Sequence, residues 1–210
     1  MKKALITGAG GGIGSAIARK FSRNGFEILT LNSRFEDTAS LKKELANLSK
    51  ESFDAVILCA GVGNFDPFEA VSGDEISRVI SVNLSANLII LNALINSLKR
   101  SHAHIIGIAS IEAHRHSRFS ALYSASKAGL RAFLLCLFEE YRKDLRVTCI
   151  SPDMTQTPFF ADLRFEPSSD ERAYIDPDEI ANFVYEAYKT KSNLSEIVIR
   201  PRIVGIKKKN

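Results

Sequence analysis

Short runs of apolar residues alternate along this chain with longer segments in which apolar positions recur every three or four residues. The first kind reads as buried strands and the second as amphipathic helices, and their alternation predicts an α/β fold, a doubly wound parallel sheet with helices on both faces. Residues 1–210 are expected to form a single domain. Residues 4–7 are read as a strand, 8–14 as a glycine loop and 13–24 as a helix closed by Gly25. A strand at 27–32, a helix at 38–48 and an apolar strand at 54–59 follow. Ser72 and Glu75 have the spacing of a capping box, so a long helix is expected to start there. Ile76, Ile80, Leu84, Leu88, Leu91, Ile95 and Leu98 form one stripe on it, expected to face the core. Strands at 103–109, 146–151 and 196–200, a helix at 121–143 and a helix at 178–189 behind Asp176 and Pro177 complete the pattern. The lysines at the end of the chain are read as a tail.

Composition narrows the class without changing the fold. With 45% hydrophobic and 25% charged residues in 210, the chain has enough apolar material for one buried core. Its formal charge of +4 owes three units to Lys207, Lys208 and Lys209, which leaves the body near neutral and argues against a nucleic-acid partner. No apolar run is expected to span a membrane, and the stretch after the first two lysines is too short for a signal-peptide core. Cys59, Cys136 and Cys149 lie in apolar stretches with no paired spacing, so they read as reduced core residues and suit a cytoplasmic location. The pairs His102/His104 and His114/His116 have no carboxylate or cysteine cluster beside them, so no metal site is expected.

Two constellations carry chemistry. Thr7-Gly8-Ala9-Gly10-Gly11-Gly12-Ile13-Gly14 lies between a strand and a helix, where backbone amides and a helix N-terminus can hold a phosphate, although a tight βα turn looks similar. Tyr123 and Lys127, at i and i+4, share one face of a helix, and a nearby cation favours the phenolate; a solvated surface pair has the same spacing. Together, T-G-x-x-x-G-I-G and Y-x-x-x-K resemble the short-chain dehydrogenase/reductase family from Ala4 to about Pro201. The resemblance implies a Rossmann-type fold and a nicotinamide-dependent oxidoreductase that interconverts a carbonyl and an alcohol on a small substrate. It implies Tyr123 as general acid or base and Lys127 as the group that lowers its pKa and holds the nicotinamide ribose. Ser110, thirteen residues before Tyr123, would bond the substrate oxygen, and Asn83 would position a water linking Lys127 to solvent. Gly8, Gly12, Ile13, Gly14, Ala60, Gly61 and Thr157 would line the cofactor site.

Three departures from the family pattern stand out. Cys59 replaces the asparagine of an N-A-G turn, and Asp153 replaces the glycine of a P-G pair beside the nicotinamide pocket. Between Asn32 and Asp54 most of one helix-strand unit is missing; residues 34–37 are read as a shortened third strand, with Asp37 near the adenine. Ser33 and Arg34, at the end of the second strand, suit a 2'-phosphate, so NADP is the expected cofactor and NAD the alternative.

The segment between Thr157 and Ile175, with Phe159, Phe160, Leu163 and Phe165, predicts a small, open, apolar-lined pocket. His114, Arg115, His116 and Arg118 read first as a solvated loop, and the alternative is that they contact an anionic or polar carbonyl compound. Two apolar faces on the helix at 121–143 suggest that one is buried by another subunit, and the resemblance implies a homodimer or homotetramer. The rival reading is a non-catalytic dinucleotide-binding sensor or scaffold, which needs the glycine loop and none of the catalytic side chains.

Overall fold

The apolar runs have no polar face to expose, so each strand is stable only with a layer of helices on both sides. In a computed structural model, which describes residues 1–209, six parallel strands lie in the order β2-β1-β3-β4-β5-β7. They are β1 (Lys2–Thr7), β2 (Phe26–Leu29), β3 (Ala55–Leu58), β4 (His104–Ile108), β5 (Arg146–Pro152) and β7 (Glu196–Ile199). Alternate residues of each strand feed opposite layers. Ala4, Ile6, Ala55 and Ile57 pack with α1 (Gly12–Arg23) and α6 (Pro177–Lys189). Leu5, Val56 and Leu58 pack with α2 (Thr38–Leu48), α4 (Ala86–Ser101) and α5 (Ala121–Tyr141). The strand order reverses between β1 and β3, and the crevice outside the carboxyl ends of those strands is where such a sheet binds ligands.

Several expectations change. Residues 34–37 form no strand: β2 is the sheet edge, Phe35 packs onto the core, and the Asp37 carboxylate accepts the Ser40 amide as the N-cap of α2. A single apolar residue among charged ones gives a strand nothing to bury. The long helix is α3 (Gly73–Ile80) and α4 joined by a π-helical turn at Ser81–Ser85. That turn rotates the apolar face, so Val79, Val82, Ala86, Ile90, Leu91, Leu94 and Leu98 are buried while Ile76, Ile80, Leu84, Leu88 and Ile95 are only half-buried. The stretch Gly73–Ser101 and α5 are each long and apolar enough to cross a membrane by length and composition, against the expectation that no run is; here both pack on the sheet. Cys136 is exposed and Cys59 half-buried, so only Cys149 is a core cysteine. The lysine tail is a strand, β8 (Ile206–Lys208), antiparallel to β6 (Phe165–Pro167).

Candidate active site

Thr7 ends β1, and the chain then turns through Gly8, at φ 70°, into α1. A β-carbon at Gly14 would overlap the Gly8 carbonyl oxygen, and one at Gly8 would come within 2.9 Å of the Ala60 backbone. The loop therefore closes only with glycine at both positions. Gly11, the N-cap of α1, leaves the helix amides without a side-chain partner, the arrangement that receives an anion. Gly14→Ala is expected to weaken dinucleotide binding at least tenfold and to lower stability by about 1–3 kcal/mol, since backbone rather than a flexible side chain must move. Fluorescence titration and urea unfolding check both.

The Thr7 hydroxyl oxygen accepts the backbone amides of Cys59 (2.9 Å) and Ala60 (3.1 Å), tying the turn after β3 to the glycine loop. Here the backbone supplies the connection between the two turns although Cys59 stands in place of an asparagine. Burial pushes the Cys59 thiol up to about 12, so it stays neutral. Asn83, fully buried in the π turn, accepts from Val62 N (2.8 Å) and donates to Val62 O (2.9 Å) and to Ser126 Oγ (3.0 Å). Its own carbonyl accepts from the Asn87 amide (2.9 Å). Asn83 thus fixes the 61–62 turn against α5. π turns recur at functional sites, and this one had no signal in the apolar spacing.

Tyr123 and Lys127 come to one cavity of about 340 Å³, with Gly8, Gly12, Ile13, Gly14, Ala60, Gly61, Ser110 and Thr157 on its walls. Ser33, Arg34 and Asp37 lie outside this lining, at the exposed end of β2. Glu44 there accepts the amides of Asn32 and Ser33, both at 2.9 Å. Burial pushes the Tyr123 phenol up to about 12; the Ser110 hydroxyl opposes this, and the Glu112 charge adds to it. The Lys127 ammonium donates to the Ile108 carbonyl (2.9 Å), and burial lowers its pKa to about 8. The phenol is therefore raised, not lowered, in this arrangement. Ser110 Oγ accepts the Glu112 amide (3.1 Å), which leaves the hydroxyl proton free to be donated into the cavity.

Asp153 does not present a bare charge to the pocket. Its carboxylate accepts from Met154 N (2.9 Å) and lies between Arg115 (3.4 Å) and Arg200 (3.3 Å). Burial raises the pKa of Glu112, but hydrogen bonds from Arg115 (2.7 Å) and Ser117 (2.8 Å) outweigh it and hold the carboxyl below its ordinary value. Of the four basic residues of this loop, only Arg115 lines the cavity; the His114 imidazole bonds Ser151 and the Arg118 guanidinium covers Phe119. Phe65, Glu112 and Met154 are wall residues that the sequence pattern did not single out. They sit in loops, where no periodicity marks a residue that faces a cavity.

A sequence profile described as short chain dehydrogenase matches residues 2–53 and 49–167, and it breaks inside the shortened segment after β2. An uncharacterized oxidoreductase of Staphylococcus aureus strain MW2 is 31% identical over 228 residues, covering 95% of this chain and 97% of that one. One from Staphylococcus epidermidis RP62A is 30% identical over 227 residues with the same coverage. Among solved structures, an alcohol dehydrogenase from the archaeon Thermococcus sibiricus complexed with 5-hydroxy-NADP superposes with a TM-score of 0.86 at 26% identity, covering 96% of this chain and 97% of that one. A 3-ketoacyl-(acyl-carrier-protein) reductase from Brucella melitensis complexed with NADH shares the fold at TM-score 0.83 and 22% identity, covering 96% and 98%.

Proposed function

The chain belongs to the short chain dehydrogenase family and is an NAD(P)-dependent oxidoreductase, and from that premise we propose that it reduces the carbonyl group of a small molecule, with NADPH as reductant and Tyr123 as proton donor. The observation that carries this reading is a buried phenol, protonated throughout the neutral range, on the wall of the cavity that also holds the glycine loop and Ser110. A donor that keeps its proton until an alkoxide develops beside it is suited to reduction. The alternative of a non-catalytic sensor needs no such donor.

The residues fit a dinucleotide, because the uncapped N-terminus of α1 and the cradle that a β-carbon at Gly8 or Gly14 would fill are what a pyrophosphate requires. Gly8, Gly12, Ile13 and Gly14 would hold the pyrophosphate, Ala60 and Gly61 the adenosine side, Lys127 and Tyr123 the nicotinamide ribose, and Thr157 the carboxamide. Bound there, the cofactor supplies the hydride. Ser110 donates to the carbonyl oxygen and Tyr123 delivers the proton to it. The remaining Lys127 protons would be available to the ribose and to the phenolate that proton transfer leaves behind. Asn83 holds the 61–62 turn and orients the water path to Lys127.

NADPH rather than NADH is supported by Arg34, which is exposed and enters no ion pair among the described residues. Because Glu44 takes both backbone amides at this point, recognition of a 2'-phosphate falls to the side chains of Ser33 and Arg34. Arg34→Ala is expected to weaken NADPH roughly tenfold to a hundredfold, the value of a charged hydrogen bond of about 1.5–3 kcal/mol, and to leave NADH unchanged. Equal weakening of both removes Arg34 from this role. A homodimer or homotetramer is supported by the open side of α5, where Ala132 and Cys136 are exposed.

Fluorescence titration of the protein with NADPH and NADH, followed by carbonyl-dependent oxidation of the bound form, tests the function. Binding of neither nucleotide overturns it.

A further inference from the structure

Five aromatic rings close a circuit around the proton donor. Phe65 lies 5.1 Å from Tyr123 and 5.1 Å from Phe165; Tyr123 lies 5.8 Å from Phe159; Phe159 lies 5.2 Å from Phe160; and Phe160 lies 5.7 Å from Phe165. Interplanar angles run from 42° to 89°, the tilted and edge-to-face arrangements that aromatic groups prefer for one another, and all five residues line the cavity. The Phe159 ring rests on Gly63, where a β-carbon would come within 2.6 Å of it.

The far wall of this circuit is fixed by the end of the chain. β8 pairs with β6, so that Phe165 faces Lys208 across the ladder. The Lys209 amide donates to the Arg164 carbonyl (2.9 Å), and its ammonium donates to the carbonyls of Phe160 and Ala161 at the end of the 3-10 turn Pro158–Phe160. A cation on the last carbonyls of a helical turn satisfies acceptors that the turn itself cannot. The lysine tail is therefore part of the pocket's frame.

Each carboxylate of the cavity is matched by a cation, and the Lys127 ammonium is turned onto a neutral carbonyl. Its charged lining residues are Glu112, Arg115, Lys127 and Asp153. Arg115 spans both carboxylates, Arg200 adds a second cation to Asp153, and Lys127 is bonded to Ile108 O. An anionic substrate recruiting Arg115 would leave the buried Glu112 carboxylate without its cation and Asp153 with Arg200 alone, a costly exchange in a low-dielectric site. A cationic substrate finds both carboxylates already occupied.

We propose that the circuit of Phe65, Phe159, Phe160 and Phe165 beside Tyr123 is a substrate subsite for an uncharged carbonyl compound carrying an aromatic ring, with Lys209 as the positioning residue of its outer wall. This rests on the reductase reading above and narrows it to one substrate class.

The test uses the full chain with NADPH and NADH both supplied, and compares benzaldehyde with 4-carboxybenzaldehyde, the same ring and electrophile with an added anion. Benzaldehyde is expected to show kcat/KM at least tenfold higher. Lys209→Ala is expected to raise KM for benzaldehyde severalfold while kcat and nucleotide affinity stay unchanged, a split that general destabilisation does not give. Equal or reversed preference overturns the substrate class, and an unchanged KM in Lys209→Ala overturns the role of the tail. If neither aldehyde turns over, saturation-transfer NMR with benzyl alcohol and the NADP+ complex decides. No transfer overturns the subsite, whereas transfer without turnover of any carbonyl upholds the subsite and overturns the reductase reading instead.

Discussion

Tyr123→Phe is expected to cut carbonyl turnover by about 10²- to 10⁴-fold, the range for losing a positioned proton donor, while nucleotide binding is retained. The substitution isolates the hydroxyl. The Tyr123 ring is buried between Phe65 and Phe159, and phenylalanine preserves both contacts, so neither the fold nor the aromatic wall should change. Steady-state rates on any confirmed substrate, with a fluorescence titration on the same sample, separate the two effects. Near-normal turnover would mean that another group, with Ser110 the nearest hydroxyl on the same wall, delivers the proton.

The parts of this molecule that the sequence made legible are those in which burial is uniform. β3 is a fully apolar run and β1, β4 and β5 carry apolar cores because both faces of a parallel sheet are covered, and such runs stand out against any background. α3 and α6 announce themselves by capping chemistry: the Ser72 hydroxyl accepts the Glu75 amide at 3.1 Å and the Asp176 carboxylate the Asp178 amide at 2.7 Å. The π turn at Asn83 was invisible because one extra residue in a helix leaves no compositional mark, yet beyond it Leu84, Leu88 and Ile95 of the expected stripe are only half-buried while Ala86, Ile90 and Leu94 are buried. The strand nature of the tail was hidden for a related reason. Three lysines suggest solvent, and only the partner segment Phe165–Pro167, some forty residues earlier, gives them backbone hydrogen bonds to make.

The site divides in the same way. Gly8, Gly14, Tyr123 and Lys127 are legible because local geometry, a tight βα turn or an i and i+4 spacing, fixes their relation. Glu112 and Arg115 are three residues apart in one segment, but Asp153 reaches Arg115 from the turn after β5, and no local spacing encodes that contact. The sign of the Tyr123 shift was equally out of reach, since it depends on how deeply the phenol is buried and on where the Lys127 ammonium points.

That ammonium leads to the second large effect, on stability rather than rate. Lys127 is buried, its Nζ bonds a neutral carbonyl, and burial brings its pKa from 10.5 to about 8. Below pH 8 both the folded and the unfolded chain carry the proton, and the folded chain bears the full cost of a buried cation. Between about pH 8 and 10.5 the unfolded chain binds more protons than the folded one, so the stability of the protein relative to Lys127→Met should rise across this window. A fall from 10.5 to about 8 corresponds to about 3 kcal/mol. Urea unfolding of the two proteins at pH 7 and pH 10.5 reads it as a difference of differences, which cancels the hydrogen bond to Ile108 O that methionine also loses. The neighbouring Cys59 and Cys149 thiols, pushed by burial from 9.0 to about 12 and about 11, lower stability above about pH 9, but they do so in both proteins and cancel in the difference. A gap that does not change with pH would mean that water reaches the Lys127 ammonium in the folded chain. The cation would then be poorly placed to stabilise a phenolate at Tyr123, because a solvated charge four residues away acts through a high dielectric. A gap that changes as expected means that the fold tolerates a destabilising charge at the one place where a buried phenolate needs it.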